Sequence, residues 1–477
     1  MTQREFYKIT EYIGSIIKGT TFENHVFAVG GSVRDLTMGN DIKDIDLVID
    51  LPDGGVNFAN WCKDMELCHS VVIYETYGTA MFKFTKFPDE EIECVMTRGE
   101  KYLDSGSRNP EVTFNTIEED CIRRDLTINA LYYNCSNGEI LDMVGGQEDI
   151  RNHVIKITNS DNVDSVIIDD PLRICRIVRF SCKYGWNIEQ RTFNAMKRNV
   201  RRLSIITKER IRDEFNKILM CRNAEMGIRM LHNIGAMEYI VPEFDECFGM
   251  EQNAYHFGDV AKHTLAVLDY HCKYFRPDLT ERIACFLHDI GKVRTRTVKD
   301  GNVHFYDHEY VGAEMAGSIL RTLKYDNDTI NEVQFLIRNH MRTKQGGNGG
   351  ELIKDKSLNK LIYDCKTFER FKSLMRVIES DNMSHKKECC IHDQYEGLFM
   401  RVKGSDKHMK MFGYRLPVTG DDIMTVLDIK PSPIIAEINK RLLNKAFLNP
   451  DITKEECIKI LPGVKKEAEQ YIKTHRV

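Results

Sequence analysis

The stretch GGSVRDLTMGNDIKDIDLVI, residues 30–49, gathers two glycines, an arginine and two close carboxylates into one strand–turn–strand segment. The apolar run before it, Val26 to Val29, reads as a strand ending in Gly30-Gly31. Without Cβ atoms there, backbone N–H groups can approach an anion closely. Ser32 to Met38 reads as a short helix whose N-terminus favours phosphate, and Arg34 adds a planar charged donor. After a turn at Gly39-Asn40, Asp44 and Asp46 fall two apart on a strand, and a period of two points both to one face. Adjacent carboxylates repel unless a divalent cation lies between them. Glu93, on the later strand EIECVMTR, is a candidate third carboxylate for that face. Taken alone, a Gly-Gly turn or a D-x-D pair is most often an ordinary turn with solvated acids. The combination GG-x-V-R-D followed by K-D-x-D is far more specific.

The chain around this segment has 477 residues, too many for one core. Hydrophobic residues are 42% and charged residues 29%, as expected of a soluble globular protein. The formal net charge of -5 neither favours nor excludes nucleic acid; local clustering decides that. No apolar run approaches the ~18 residues that span a bilayer, and MTQREFYKIT has no apolar signal region. Fifteen cysteines with no CxxC pair read as buried, reduced thiols, so a cytoplasmic location is expected.

Residues 1 to about 145 mix short β-like runs (26–29, 45–49, 80–84 and 91–96) with Gly/Asp/Asn turns, the pattern of an α/β domain. From about 165 onward the period is helical, with a boundary near Pro242. Residues 250 to about 390 read as helical, interrupted by KQGGNGG, and hold most of the histidines. The last stretch forms a small helical unit in which Thr453 caps a helix before Glu456.

The first cluster resembles the nucleotidyltransferase signature of the polymerase-β superfamily, and within it the class II tRNA nucleotidyltransferases (CCA-adding enzymes) and bacterial poly(A) polymerases. The resemblance implies that Asp44 and Asp46 hold the catalytic Mg²⁺ ions, with Glu93 a third catalytic carboxylate, and that Gly30, Gly31 and Arg34 bind nucleotide. RRDLTINA matches the family's RRD-F-T-x-N-A with Leu126 in the aromatic place, which implies that Arg123, Asp125 and Asn129 hold the triphosphate and ribose. DDPLRICRIVRF, residues 169–180, resembles E-D-x-L-R-x-x-R-x-x-R-F, with Asp169 where the family usually has glutamate. Asp170 and Arg173 are three apart, the spacing of one helical face, and are expected to act as a unit. A carboxylate accepts from the exocyclic amine of cytosine or adenine, and a guanidinium donates to the ring nitrogen beside it. Uracil and guanine would leave a buried charge unpaired. Arg176 and Arg179 extend this basic side toward the phosphates. Arg98, Glu100 and Tyr102 match the R-x-E-x-Y element of the flexible loop in enzymes that switch to A addition, which favours CCA or A addition over CC addition.

A second chemistry stands downstream. His263, His288-Asp289 in LHDIGK and Asp381 in ESDNMSH match H…HD…D and resemble the HD phosphohydrolases. Imidazoles and carboxylates suit a divalent metal, with Mn, Ni, Mg and Fe all open. A second metal or a phosphate is the chemistry open to His308 and His340, and Lys292 suits phosphate. In some members of the resembled family such a domain removes 2′-phosphates or opens 2′,3′-cyclic ends, which implies cleaning of tRNA 3′ ends.

MKRNVRRLSIITKERIR, residues 196–212, is the most basic stretch. A charge run is usually a solvated face, but here it follows the base-reading segment, where the family architecture puts the tRNA acceptor stem. The expectation is a multi-domain, mainly α chain: an α/β nucleotidyltransferase head with a mixed sheet, followed by all-α neck, HD and tail domains. The boundaries expected are 1–148 head, 149–245 neck, 246–392 HD domain and 393–477 tRNA-binding tail. The function expected is protein-templated addition of C, C and A to tRNA from CTP and ATP, with no membrane involvement. Two alternatives stay open: a poly(A) polymerase or A-adding enzyme, and a dead transferase acting as a hydrolase or RNA-binding protein.

Overall fold

The computed structural model describes residues 1–74, 78–101, 111–252, 258–343, 353–390 and 394–475. The chain divides into two compact units, Met1–Ile240 and Val241–Val477.

The first unit opens with helix α1 (Gln3–Ile17), started by a capping box between Thr2 and Glu5. Next come β1 (Val26–Val29), α2 (Gly31–Thr37), β2 (Ile45–Ile49), α3 (Gly54–Asp64), β3 (Cys68–Tyr74), β4 (Thr79–Phe84) and β5 (Ile92–Met96). A small hairpin, β6 (Arg98–Lys101) and β7 (Glu111–Phe114), precedes α4 (Ile117–Arg123), β8 (Leu131–Asn134) and β9 (Ile140–Asp142). Seven strands form one sheet in the order β3-β4-β5-β2-β1-β8-β9. Only the β2–β5 pair is parallel, so the sheet is mixed. Phe27, Val29 and Val48 on one face pack with Ile117 and Cys121 of α4. α1 meets the opposite face through Phe6 against Tyr133 and Tyr12 against Phe84. α3 lies close on β5 because Gly55 carries no Cβ; one there would sit 2.7 Å from the Val95 Cα.

Helices follow at Val163–Asp169, Arg173–Tyr184, Gln190–Asn199, Lys208–Leu219 and Ala224–Asn233. The Arg173–Tyr184 helix buries Ile174, Ile177, Val178 and Phe180 and stops at Gly185, whose φ of 71° suits a residue without Cβ.

In the second unit, helices Val260–Tyr274, Leu279–Leu287, His308–Thr322, Asn327–Asn339 and Phe368–Asn382 surround the histidines. The region expected to be helical throughout contains a β-hairpin, Arg296–Lys299 with Asn302–Phe305. Its turn is Asp300-Gly301, both at positive φ, the backbone a two-residue hairpin turn demands. The chain ends in helices Gly420–Leu427, Ile434–Ala446 and Lys454–His475, with a core of Ile423, Ile438, Leu442 and Leu461. The last helix starts with the expected cap: the Glu456 amide donates to Thr453 Oγ1 at 3.2 Å, and the Thr453 amide to the Glu456 carboxylate at 2.9 Å. KQGGNGG, residues 344–350, lies outside the described residues. None of the fifteen cysteines forms a disulfide, and twelve are buried. Among the described residues, no helix is long and apolar enough to cross a membrane.

Candidate active sites

Strand register builds the first site. Val29 of β1, Asp46 of β2 and Glu93 of β5 stand in one row across the sheet. The Gly30-Gly31 turn therefore begins one residue beyond the row that carries two acids. Gly30 has φ 71°, and α2 starts at Gly31, one residue earlier than the sequence suggested. Asp44 lies just before β2 rather than on it, and is exposed. It still acts on Asp46, whose carboxyl is pushed up to about 6 by burial, Asp44 and Glu93, in that order. An acid set that repels itself this way is what a divalent cation relieves, so these residues fit the metal role.

Behind the glycines runs a chain of hydrogen bonds. Arg34 Nη1 donates to Asn129 Oδ1 at 2.6 Å, and Asn129 Nδ2 donates to Asp125 Oδ1 at 3.0 Å. Arg176, from the Arg173–Tyr184 helix, donates to Asp125 Oδ2 through Nε at 2.9 Å and Nη2 at 2.6 Å. Burial raises the Asp125 carboxyl, but Arg176 and the Asn129 bond outweigh it and hold it at about 2. Arg34 is buried and also bridges Asp35, so it braces Asn129.

Sequence reading passed over Asp120. It accepts from Arg123 at 2.7 Å, Arg124 at 3.0 Å and the Tyr132 hydroxyl at 2.6 Å. Burial opposes its ionisation, yet Arg124 and Arg123 hold it at about 2. Arg124 Nη1 would lie 3.7 Å from a Cβ on Gly30, which places this guanidinium beside the glycine turn. The available signal was the i, i+3 and i, i+4 spacing of Asp120 from Arg123 and Arg124.

The Asp170–Arg173 expectation needs correction. Asp170 precedes the helix, which starts at Arg173 after Pro171, so the two do not share a helical face. Proline at the entry disfavours helical backbone at residue 170. Asp170 takes Arg210 at 3.0 Å, while Arg173 Nη1 donates to the Val166 carbonyl at 3.1 Å. Arg179 pairs with Glu214 at 3.0 Å. The basic run 196–212 is partly bracing: Arg198 pairs with Asp164, Arg202 reaches the Ile168 carbonyl and Lys208 the Tyr239 carbonyl. Lys197 and Arg201 are exposed. Arg98 donates to Thr79 Oγ1 at 3.0 Å; Tyr102 and the Glu100 side chain lie outside the described residues.

The second site lies wholly in the second unit. His263 Nε2 is 3.0 Å from Asp381 Oδ1 and 3.7 Å from Asp289 Oδ2. His288 Nε2 is 3.2 Å from Asp289 Oδ2, and His308 Nε2 is 3.4 Å from Asp289 Oδ1. Ligand atoms fall within 4.8 Å of one another in three groups: His263-His288-Asp289, Asp289-His308-His340 and His263-Asp381-His385. His385 was not foreseen, though it stands four residues after Asp381. The Nδ1 atoms of His288, His308 and His340 face the carbonyls of Cys285, Phe305 and Ile337 at 2.9, 2.9 and 2.6 Å. That partner fixes the proton on Nδ1 and turns the Nε2 lone pair inward, as metal-binding imidazoles require. The buried Nε2 atoms of His308 and His340 have no hydrogen-bond partner among the described residues. Burial, then His288 and His308, depress His340 to about 3. The donor set fits two divalent ions sharing Asp289. Lys292 Nζ bridges Asp289 Oδ2 and Gln252 Oε1, each at 2.7 Å.

Fold and sites together define a metal-dependent nucleotidyltransferase head joined to an HD-type domain. The Poly A polymerase head domain matches residues 26–156, the probable RNA and SrmB-binding site of polymerase A residues 185–248, and the HD domain residues 260–367. The multifunctional CCA protein of Pseudomonas paraeruginosa is 32% identical over 316 residues, covering 64% of this chain and 71% of that protein. The CC-adding tRNA nucleotidyltransferase of Thermus thermophilus is 28% identical, covering 66% and 68%. In fold, the chain resembles the Bacillus stearothermophilus CCA-adding enzyme in complex with CTP, at TM-score 0.65 and 20% identity over 98% of this chain and 99% of that one. The Thermotoga maritima CCA-adding enzyme complexed with tRNA gives 0.58 and 18% over 96% and 94%. The chain belongs to the tRNA nucleotidyltransferase and poly(A) polymerase family that includes the multifunctional CCA proteins.

Proposed function

We propose that this protein adds C, C and A to the 3′ end of tRNA from CTP and ATP in the cytoplasm. The observation that carries the reading is the row Asp46–Glu93, with Asp44 beside it, set one residue from the Gly30-Gly31 turn. In this reading the 3′-hydroxyl gives its proton to solvent water, its oxygen bonds the α-phosphorus, the α–β anhydride breaks and pyrophosphate leaves. Mg²⁺ held by Asp44 and Asp46 would lower the pKa of the hydroxyl and neutralise the leaving group. Glu93 shares the charge of that acid set. Gly30 and Gly31 admit the triphosphate, with Arg123 and Arg124 beside it. Asp125 and Asn129, held by Arg176 and Arg34, meet the ribose.

Asp170 and Arg173 read the base, which requires each to exchange its present partner, Arg210 and the Val166 carbonyl, for the nucleobase. Arg176 and Arg179 line the same side. Full CCA addition is favoured over CC addition by the segment carrying Arg98, Glu100 and Tyr102. The exposed Lys197 and Arg201 and the tail helices serve tRNA binding, which is then salt-sensitive. The domains follow as head 1–148, neck 149–245, HD 246–392 and tail 393–477.

The HD centre is a phosphohydrolase or phosphodiesterase acting on RNA 3′ ends. Water oxygen bonds phosphorus, one P–O ester bond breaks, and the water proton leaves with the alkoxide. Mn, Ni, Mg or Fe held by His263, His288, Asp289 and Asp381, with a second ion or a phosphate at His308 and His340, would make water nucleophilic near neutral pH. Comparing Asp44→Ala and Asp46→Ala with His288→Ala tests both halves. The first two should abolish nucleotide incorporation and spare ester hydrolysis; His288→Ala should do the reverse. Incorporation that survives both aspartate changes would overturn the transferase reading.

A further inference from the structure

The hairpin Arg296–Phe305 is joined to the HD centre at its last residue. The Phe305 carbonyl accepts from His308 Nδ1 at 2.9 Å, and the Phe305 ring lies 5.3 Å from Lys292 Nζ, the amine that holds Asp289. Just beyond, two tyrosines flank His308 at two residues on either side, and both are open to solvent: Tyr306 is 62% exposed and Tyr310 53%. Tyr306 is already stacked on His304, with ring centroids 5.2 Å apart and planes only 8° from parallel. Arg296 and Lys299 on the hairpin are exposed and make no ion pair among the described residues, whereas Arg294 is tied to Glu246. Asp300 and Asp307 are the exposed acids of the segment. Single exposed aromatics need no explanation. The hairpin register puts Lys299 on the ribbon face of His304 and Arg296 on the other. A pre-stacked ring, a second ring and the cation Lys299 beside a phosphoester-type metal centre form the two components of a single-strand binding surface, a stacking platform and backbone-tracking charge.

We propose that Tyr306, Tyr310 and Lys299 form a platform that seats the last unpaired nucleotides of a single-stranded RNA 3′ end, delivering its terminal phosphate to the HD centre. The inference rests on reading that centre as a phosphoester hydrolase, and it adds how the substrate is recognised. Every base has a π-face, so the platform is indifferent to sequence. A small ester lacking a base gains nothing from it.

Two measurements on the full-length protein test this. The first is hydrolysis of an oligoribonucleotide ending in a 2′,3′-cyclic phosphate, compared with glycerol cyclic phosphate. Tyr306→Ala with Tyr310→Ala should raise KM for the oligonucleotide about tenfold or more and leave the glycerol ester unchanged, while Tyr306→Phe with Tyr310→Phe retains wild-type KM. The second is photocrosslinking of an oligoribonucleotide ending in 4-thiouridine, with the crosslinks mapped by mass spectrometry. They should fall on residues 296–310 and vanish in the double alanine variant. An unchanged KM, or crosslinks confined to other segments, overturns the platform. If the wild type hydrolyses neither ester, the hydrolase reading fails, and the crosslink map alone decides whether the platform binds RNA.

Discussion

Arg176 and Asp125 meet at 2.6 Å across 51 residues of sequence, joining the helix after Pro171 to the segment after α4. Asp125 is only 7% exposed. Removing Arg176 leaves a buried carboxylate without its main partner, though Asn129 still donates to it, a change that costs roughly 1–3 kcal/mol. Arg176→Ala should therefore lower the melting temperature and reduce incorporation. Arg176→Ala with Asp125→Asn should recover much of the stability and none of the incorporation. Thermal melts of the three proteins check it.

Asp46 sets a pH dependence. Its folded value of about 6 lies above the unfolded carboxyl value near ~3.9. Between those values the folded state binds more protons, so the metal-free protein loses stability as pH rises through the window. Asp46→Asn removes that loss: the metal-free variant should melt higher than wild type at pH 8 and equally at low pH, while incorporation disappears. At limiting Mg²⁺, wild-type incorporation should fall as pH drops through about 6.

Arg210 holds Asp170, the residue assigned to the base in the proposed reading. The pair is half exposed on the arginine side, and such pairs contribute about 0–1 kcal/mol. Arg210→Ala should leave stability nearly unchanged and lower KM for CTP and ATP, because Asp170 no longer has to release a partner. Steady-state kinetics with saturating tRNA check this, and an unchanged KM for both nucleotides contradicts it.

Gly291 positions His308. A Cβ on Gly291 would sit 2.1 Å from the His308 carbonyl oxygen and 2.5 Å from the Gly312 nitrogen, both backbone atoms that cannot swing aside. Gly291→Ala should cost on the order of 2 kcal/mol and reduce bound metal, as should His340→Ala, which removes an inward Nε2. Metal content by elemental analysis is the readout. Full metal content in both variants would contradict the shared-Asp289 arrangement.

β1 and β2 were legible because period two and the Gly-Gly break are local: both strands fall where alternation and turns put them, with Asp44 one residue short of β2. The sequence also marked histidines and aspartates that the fold then clusters, because H-D is contiguous. What it could not carry is tertiary. Asp170 and Arg173 have helical spacing, but Pro171 starts the helix after Asp170, and each side chain found a distant partner. Beyond its local partners Arg123 and Arg124, Asp120 takes Tyr132 and the Arg98 amide from separate strands, which no local spacing shows. The 296–305 hairpin was legible in Asp300-Gly301, a turn signal masked by the helical period on both sides.

The most direct test uses three tRNA transcripts, ending before CCA, after C and after CC, each incubated with Mg²⁺ and both CTP and ATP, one of the two labelled at a time. The expected result is addition of the missing residues only, two C and one A on the first transcript, followed by a stop. Addition of C alone, A on the CC-ended transcript alone, or a long A tract would contradict CCA addition.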